Sequence, residues 1–370
     1  MRNKIIAIDL MGEKFGIFKE YFGLFILIFC SIIGVGFVSG AEIFEFFSRF
    51  GNYSYFGIIV FFIMVYLIIY RILYKNTINF DLLNMANEEQ KHYQKRQKIV
   101  KFKQKFYKII IFFNVFVIAS AMFSGLNYLI KNLYNNNFYY MFFITYFLVF
   151  VMLFLGIKCL KKIDNLVLIF TFFVIINLVC SMINSDNLLL FVDNGLKSTA
   201  IEKSLNSSVI FKLFLSLIYP VLYVFMNFFQ VQPLVESSAG FVKNKKNCRI
   251  FALIFSTIFS LVLFIFVIFL KNNYNFCSFS MPLLEYFKSK GIIIRSVFCF
   301  GLVFCLVSTL ISCLIGVKQN LSKVLNINNF SLTIISFVFA LIFGFLPFDF
   351  YVSVAYPILG LLNFIIFVFC

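Results

Sequence analysis

The chain has no tryptophan and one histidine, and Asp, Glu, Lys and Arg together make up only 13% of its 370 residues. Soluble domains carry about a quarter charged residues, so this scarcity excludes an ordinary globular protein and a disordered one. The one histidine, His92, lies in a basic stretch, which argues against histidine-ligated metal sites and Ser-His-Asp catalysis within the apolar segments. The nine cysteines include no Cys-x-x-Cys pair. Cys299, Cys305 and Cys313 come nearest to a cluster, but their spacings do not put all three on one helical face. They read as small buried hydrophobes. No phosphate-binding Gly-rich loop occurs, so ATP-driven work within this chain is not expected. No metal or other cofactor is expected either.

What the chain does have is apolar length. Hydrophobic residues make up 62% of it, including 58 phenylalanines, and its 19 tyrosines must supply the interfacial aromatic belt alone. Apolar runs set against polar breaks give ten segments, near 21–49, 52–74, 109–130, 138–160, 163–183, 208–231, 250–270, 292–316, 330–346 and 350–369. The expectation is an all-α membrane protein with ten transmembrane helices in a single domain over 1–370. The first segment is too long for a signal peptide and has no small-residue cleavage site, so the N-terminus should stay attached.

Charge placement fits that count. With both termini in the cytoplasm, the inner loops hold 23 Lys and Arg and the outer loops 9. The net charge of +17 therefore reports orientation in the cell membrane, and no nucleic-acid partner is expected. The strongest basic run, within the loop 75–108, is expected to lie against anionic lipid headgroups.

Two segments carry the signs of a broken helix. In the first, Gly34, Gly36 and Gly40 fall mid-run and Glu42 follows. An ionisable group within a span points to function, and an unwound stretch near 34–40 would free N–H groups for an anion from Ser39 onward. Ser39-Gly40-Ala41-Glu42 also fits a capping box, so Glu42 reads either as a cap or as a direct ligand or proton-coupling group. Close helix packing through Gly36 and Gly40 is the plainer account of the glycines. Glu45 and Arg49 are spaced as an ion pair. In the sixth segment, Pro220 should kink the helix and Asn227 and Gln230 bring amides into apolar surroundings. Interruptions at matching places in two five-helix halves point to a secondary transporter built from inverted repeats, about 21–183 and 208–369.

Gly34-Val35-Gly36-Phe37-Val38-Ser39-Gly40-Ala41-Glu42, followed by Phe46-Phe47 and Phe50-Gly51, resembles the first-helix signature of the YkvI-type membrane proteins. These belong to the amino acid–polyamine–cation (APC) superfamily. Val35, Val38 and Ala41 stand where that family carries Ala, Ala and Gln. The resemblance continues at Met122-Phe123-Ser124-Gly125, Tyr223 to Asn227, Met281 to Leu284, Ser308-Thr309 and Tyr356 to Gly360. It implies a LeuT-type 5+5 inverted repeat with discontinuous helices 1 and 6. Substrate would be held by Gly34, Gly36, Phe37, Ser39, Gly40, Glu42 and Asn227, and a Na⁺ or H⁺ site would lie near Ser308, Thr309 and Ser312. Read by themselves, Ser308 and Thr309 are equally ordinary helical hydroxyls bonded to their own i−4 carbonyls. The function expected is cation-coupled transport of a small metabolite, with an amino acid the first choice. A transporter-fold sensor that binds a solute without moving it is the alternative. With no nucleophile–base pair in the spans, an enzyme is not expected.

Overall fold

The computed structural model describes residues 20–85, 113–132, 147, 150–151, 157–184, 209–237, 245–325 and 329–369. Among these the chain is all-helical. The first apolar segment is divided into α1 (Glu20–Ile32), α2 (Val35–Val38) and α3 (Ala41–Phe46), followed by a 3₁₀ stretch over Ser48–Tyr53. Then come α4 (Ser54–Met85), α5 (Phe113–Asn132), α6 (Ile157–Asn184), α7 (Val209–Ser237) and α8 (Lys245–Asn272). A short helix, α9 (Pro282–Lys288), precedes α10 (Ile292–Leu325) and α11 (Asn329–Phe343). The last segment is α12 (Phe348–Phe350), a π-turn over Tyr351–Ala355, and α13 (Tyr356–Phe369).

Seven of the helical stretches are long and apolar enough to cross a membrane. Each accounts for one expected segment, and α1 and the 334–343 part of α11 are shorter apolar helices in two more. The expected segment 138–160 falls largely outside the described residues. The outward faces suit lipid: on α6, Ile169, Phe172 and Ile176 are exposed, while Val167, Val174 and Leu178 one row over are buried. Residues 75–85, expected to begin the basic loop, continue α4 instead. Helices outlast their apolar runs because a helix outside the hydrocarbon needs no apolar side chains. The rest of that loop lies outside the described residues.

The interruption expected in the sixth segment is not there. α7 is unbroken from Val209 to Ser237, through both Pro220 and Pro233. Pro220 has no N–H to offer the Ser216 carbonyl four residues earlier. α4 packs directly on that point through Gly57, where an added Cβ would lie 2.8 Å from the Ser216 oxygen and 3.0 Å from Pro220 Cγ. A second backbone approach comes from α13: a Cβ at Gly360 would lie 2.8 Å from the Leu222 carbonyl carbon. One turn further along α13, Asn363 donates to the Phe225 carbonyl at 3.2 Å and exchanges amide hydrogen bonds with Asn114 of α5. α7 is thus clamped between α4 and α13, and this packing keeps the proline-bearing helix continuous.

Candidate functional site

The first segment is the one that breaks, at two points. The α1 ladder ends with Ile33 N–H on the Phe29 carbonyl, and Gly34 N–H then turns to the Ile32 carbonyl at 2.8 Å. Gly34 is extended, α2 makes a single turn, and Gly40 adopts φ +82° before α3 begins. That left-handed conformation is cheap only for glycine. The unwound stretch expected over 34–40 is therefore two breaks with a turn between them, and the outer helix starts at Ala41 instead of Ser39. Each glycine has a separate task. A Cβ on Gly34 would lie 3.3 Å from Thr309 Oγ1 of α10 and 3.5 Å from Met122 Cε of α5. A Cβ on Gly36 would run into the Glu42 side chain, 2.6 Å from Cδ. Gly40 packs on Leu270 and Leu283, and the Ser39 carbonyl accepts Leu283 N–H at 2.9 Å, which seats α9 over the Gly40 break.

The capping box does not form. Gly40 is the N-cap of α3, no side chain caps the helix, and Ser39 Oγ donates back to the Gly36 carbonyl at 3.3 Å. Glu42 points inward over Gly36 and is 3% exposed, and its Oε2 accepts the Tyr223 hydroxyl of α7 at 2.9 Å. The Tyr223 ring is packed by Phe46 at 5.0 Å, Phe47 at 5.6 Å and Phe61 at 6.1 Å. Tyr356 opens α13 directly after the π-turn that packs on α3. Its hydroxyl is buried without a hydrogen-bond partner. Asn227 sits one turn beyond Tyr223 and donates to the Tyr223 carbonyl at 3.1 Å. Phe37 is turned toward α8, stacked on Phe259 and tilted against Phe266.

The three α10 hydroxyls part company. Ser308 donates to Asp164 Oδ1 of α6 at 2.6 Å, and Ser312 to the Thr309 carbonyl at 2.8 Å. Thr309 Oγ1 is buried with no partner. The i−4 bonding that would make Ser308 and Thr309 ordinary helical hydroxyls is therefore absent from both. Asp164 is a carboxylate that sequence reading passed over. It lies at the head of an apolar run, two residues after Lys162, and so looks like loop. Here it is 3% exposed, and its backbone carbonyl accepts the Cys30 thiol of α1 at 3.2 Å. The signal that could have found it is that it is the only acidic residue in 157–184.

At the end of α3 away from the breaks Glu45 and Arg49 form the expected ion pair, and the Arg49 guanidinium lies 4.3 Å from the centroid of the Tyr219 ring. The first segment thus has two buried polar places among apolar helices: the Glu42 carboxylate with the Tyr223 hydroxyl after the Gly40 break, and the partnerless Thr309 hydroxyl at the Gly34 break. Comparison with protein-family models and with curated proteins finds no match to this chain.

Proposed function

We propose that the chain is a cation-coupled secondary transporter of a small metabolite, with an amino acid the first class to test. In this reading ten helices form a 5+5 inverted repeat of the LeuT type, and the YkvI-type resemblance of the first helix marks the solute site. The observation that carries the proposal is the double break of the first segment. Backbone at that depth leaves the helical pattern only where protein or a solute cavity satisfies the freed groups, and half-helix ends facing each other are how such transporters hold solutes and ions. Gly34, Gly36 and Gly40 supply the conformations and the close approaches. The Gly34 break would hold the coupling ion, Na⁺ or H⁺, and the partnerless Thr309 hydroxyl beside Gly34 supports this. Ser312 is bonded within its own helix and Ser308 to Asp164, so Thr309 is the hydroxyl of the three best placed to serve an ion.

The test is uptake of radiolabelled amino acids into proteoliposomes under an imposed Na⁺ or pH gradient. The proposal expects accumulation that collapses when the gradient is removed. It also expects accumulation to be lost in Gly36→Ala, whose methyl displaces the Glu42 carboxyl. Uptake unchanged by Gly36→Ala would sink the site assignment. Binding without flux would favour the sensor.

A further inference from the structure

The Glu42 cluster narrows the class of solute. A carboxylate buried among aromatic rings is costly unless a positive charge or hydrogen bonds accompany it. Glu42 has one hydrogen bond, from Tyr223, and among the described residues no Lys, Arg or His forms an ion pair with it. The nearest basic group along the chain, Arg49, is committed to Glu45 and the Tyr219 ring. A second unmet demand lies at the head of the helix that follows the π-turn packed on α3: the Tyr356 hydroxyl, on a residue 1% exposed, has no partner. The Tyr223 ring, whose hydroxyl reaches Glu42, is packed by Phe46 and Phe61, and aromatic faces attract cations. Moreover the place over Gly36, where an incoming anion would meet the turn between the two breaks, is already taken by the Glu42 carboxyl.

We propose that this site binds a solute through an ammonium group, held by the Glu42 carboxylate and the Tyr356 hydroxyl, and that it rejects solutes whose only charge is a carboxylate. The inference rests on reading the helix break as the solute site, but not on transport. An ammonium group has donors for both Glu42 and Tyr356, so one ligand group would answer both demands.

The test is a thermal-shift and calorimetric screen of the purified full-length protein against matched triads: each amino acid, its decarboxylated amine and its deaminated acid, for example leucine, 3-methylbutylamine and 4-methylpentanoate. The expected result is that every compound raising the melting temperature carries an ammonium group, and that the deaminated member of its triad does not bind. Glu42→Gln should weaken the hits by at least tenfold in Kd. Tyr356→Phe, which removes only a hydroxyl that has no partner, should weaken them several-fold without lowering the melting temperature of the free protein. If Glu42→Gln does not fold, Glu42→Asp and Tyr356→Phe carry the test. A carboxylate-only hit, a panel in which no ammonium compound binds, or hits that the Glu42 and Tyr356 variants bind as tightly as the parent would each overturn the proposal. Flux separates the two readings. Ammonium binding without uptake leaves this inference standing and removes the transporter, whereas uptake of deaminated acids keeps the transporter and removes this inference.

Discussion

Thr309 shows how much one side chain can say. Its hydroxyl is on a residue 2% exposed, faces the break at Gly34, and has no partner. Leaving a hydroxyl unbonded in an apolar interior costs about 1–3 kcal/mol, so the position should be better filled by an apolar isostere if stability alone mattered. Thr309→Val is therefore expected to match or exceed the parent in melting temperature in cation-free buffer at neutral pH. It should also lose whatever stabilisation Na⁺ or lower pH gives the parent. Differential scanning fluorimetry across a Na⁺ series and a pH series checks both halves. A drop of several degrees without cation would mean that the hydroxyl is already bonded and serves structure. At this scale sequence reading did well with the glycines and poorly with Glu42. A run of three glycines ahead of an acidic residue marks a break whatever its detailed shape. The S-x-x-E pattern, by contrast, assumes that Ser39 takes the extended N-cap conformation, and here the left-handed Gly40 takes the cap and turns Glu42 inward. The partner that receives it, Tyr223, lies 181 residues away, beyond the reach of any local pattern. Asp164 was hidden in the same way, because its burial depends on α1 and α10.

Among the elements, α7 and the first segment make an instructive pair. Both carry residues that disrupt helices, yet only one is broken. In the first segment the glycines leave the backbone free to turn, and the turns are fixed by contacts to α5, α9 and α10. In α7, Pro220 removes one hydrogen bond, and the helix absorbs that loss because α4 and α13 hold it from two sides. The rule that proline interrupts a membrane helix is local, whereas the outcome was set by Gly57 on another helix. A comparison of two glycines tests this account. Gly57 lies against the Ser216 carbonyl, while nothing comes within 4 Å of a Cβ placed on Gly23. Gly57→Ala should force α4 and α7 apart and cost about 1–3 kcal/mol, in the range of overpacked cores. Gly23→Ala should be neutral or gain up to about 1 kcal/mol from helix propensity. Unfolding of both variants in detergent, followed by circular dichroism, distinguishes them. Equal stabilities would mean that the contact at Gly57 does not hold α7 straight.

For the whole molecule, the strongest regularity legible in the sequence is the alternation of basic loops, and it makes a claim about sidedness. Long apolar helices with lipid-suited outer faces are present, but helix length alone carries no direction. Direction comes from Lys and Arg, which are retained on the cytoplasmic side of short loops. Lys246, at the start of α8, and Lys290, just after α9, are both exposed and are separated by one spanning helix. In the ten-helix arrangement Lys246 faces the cytoplasm and Lys290 the outside, and α9 closes the outer end of the broken segment through Leu283. The variants Lys246→Cys and Lys290→Cys, probed in intact cells with a membrane-impermeant maleimide, should therefore differ: Lys290→Cys labels at once, and Lys246→Cys only after permeabilisation. Parent protein sets the background from the native thiols, six of which are buried among the described residues. The opposite pattern would invert the molecule and put α9 at the cytoplasmic end. Labelling of both from the same side would remove α8 as a spanning helix and with it the even count on which the 5+5 arrangement rests.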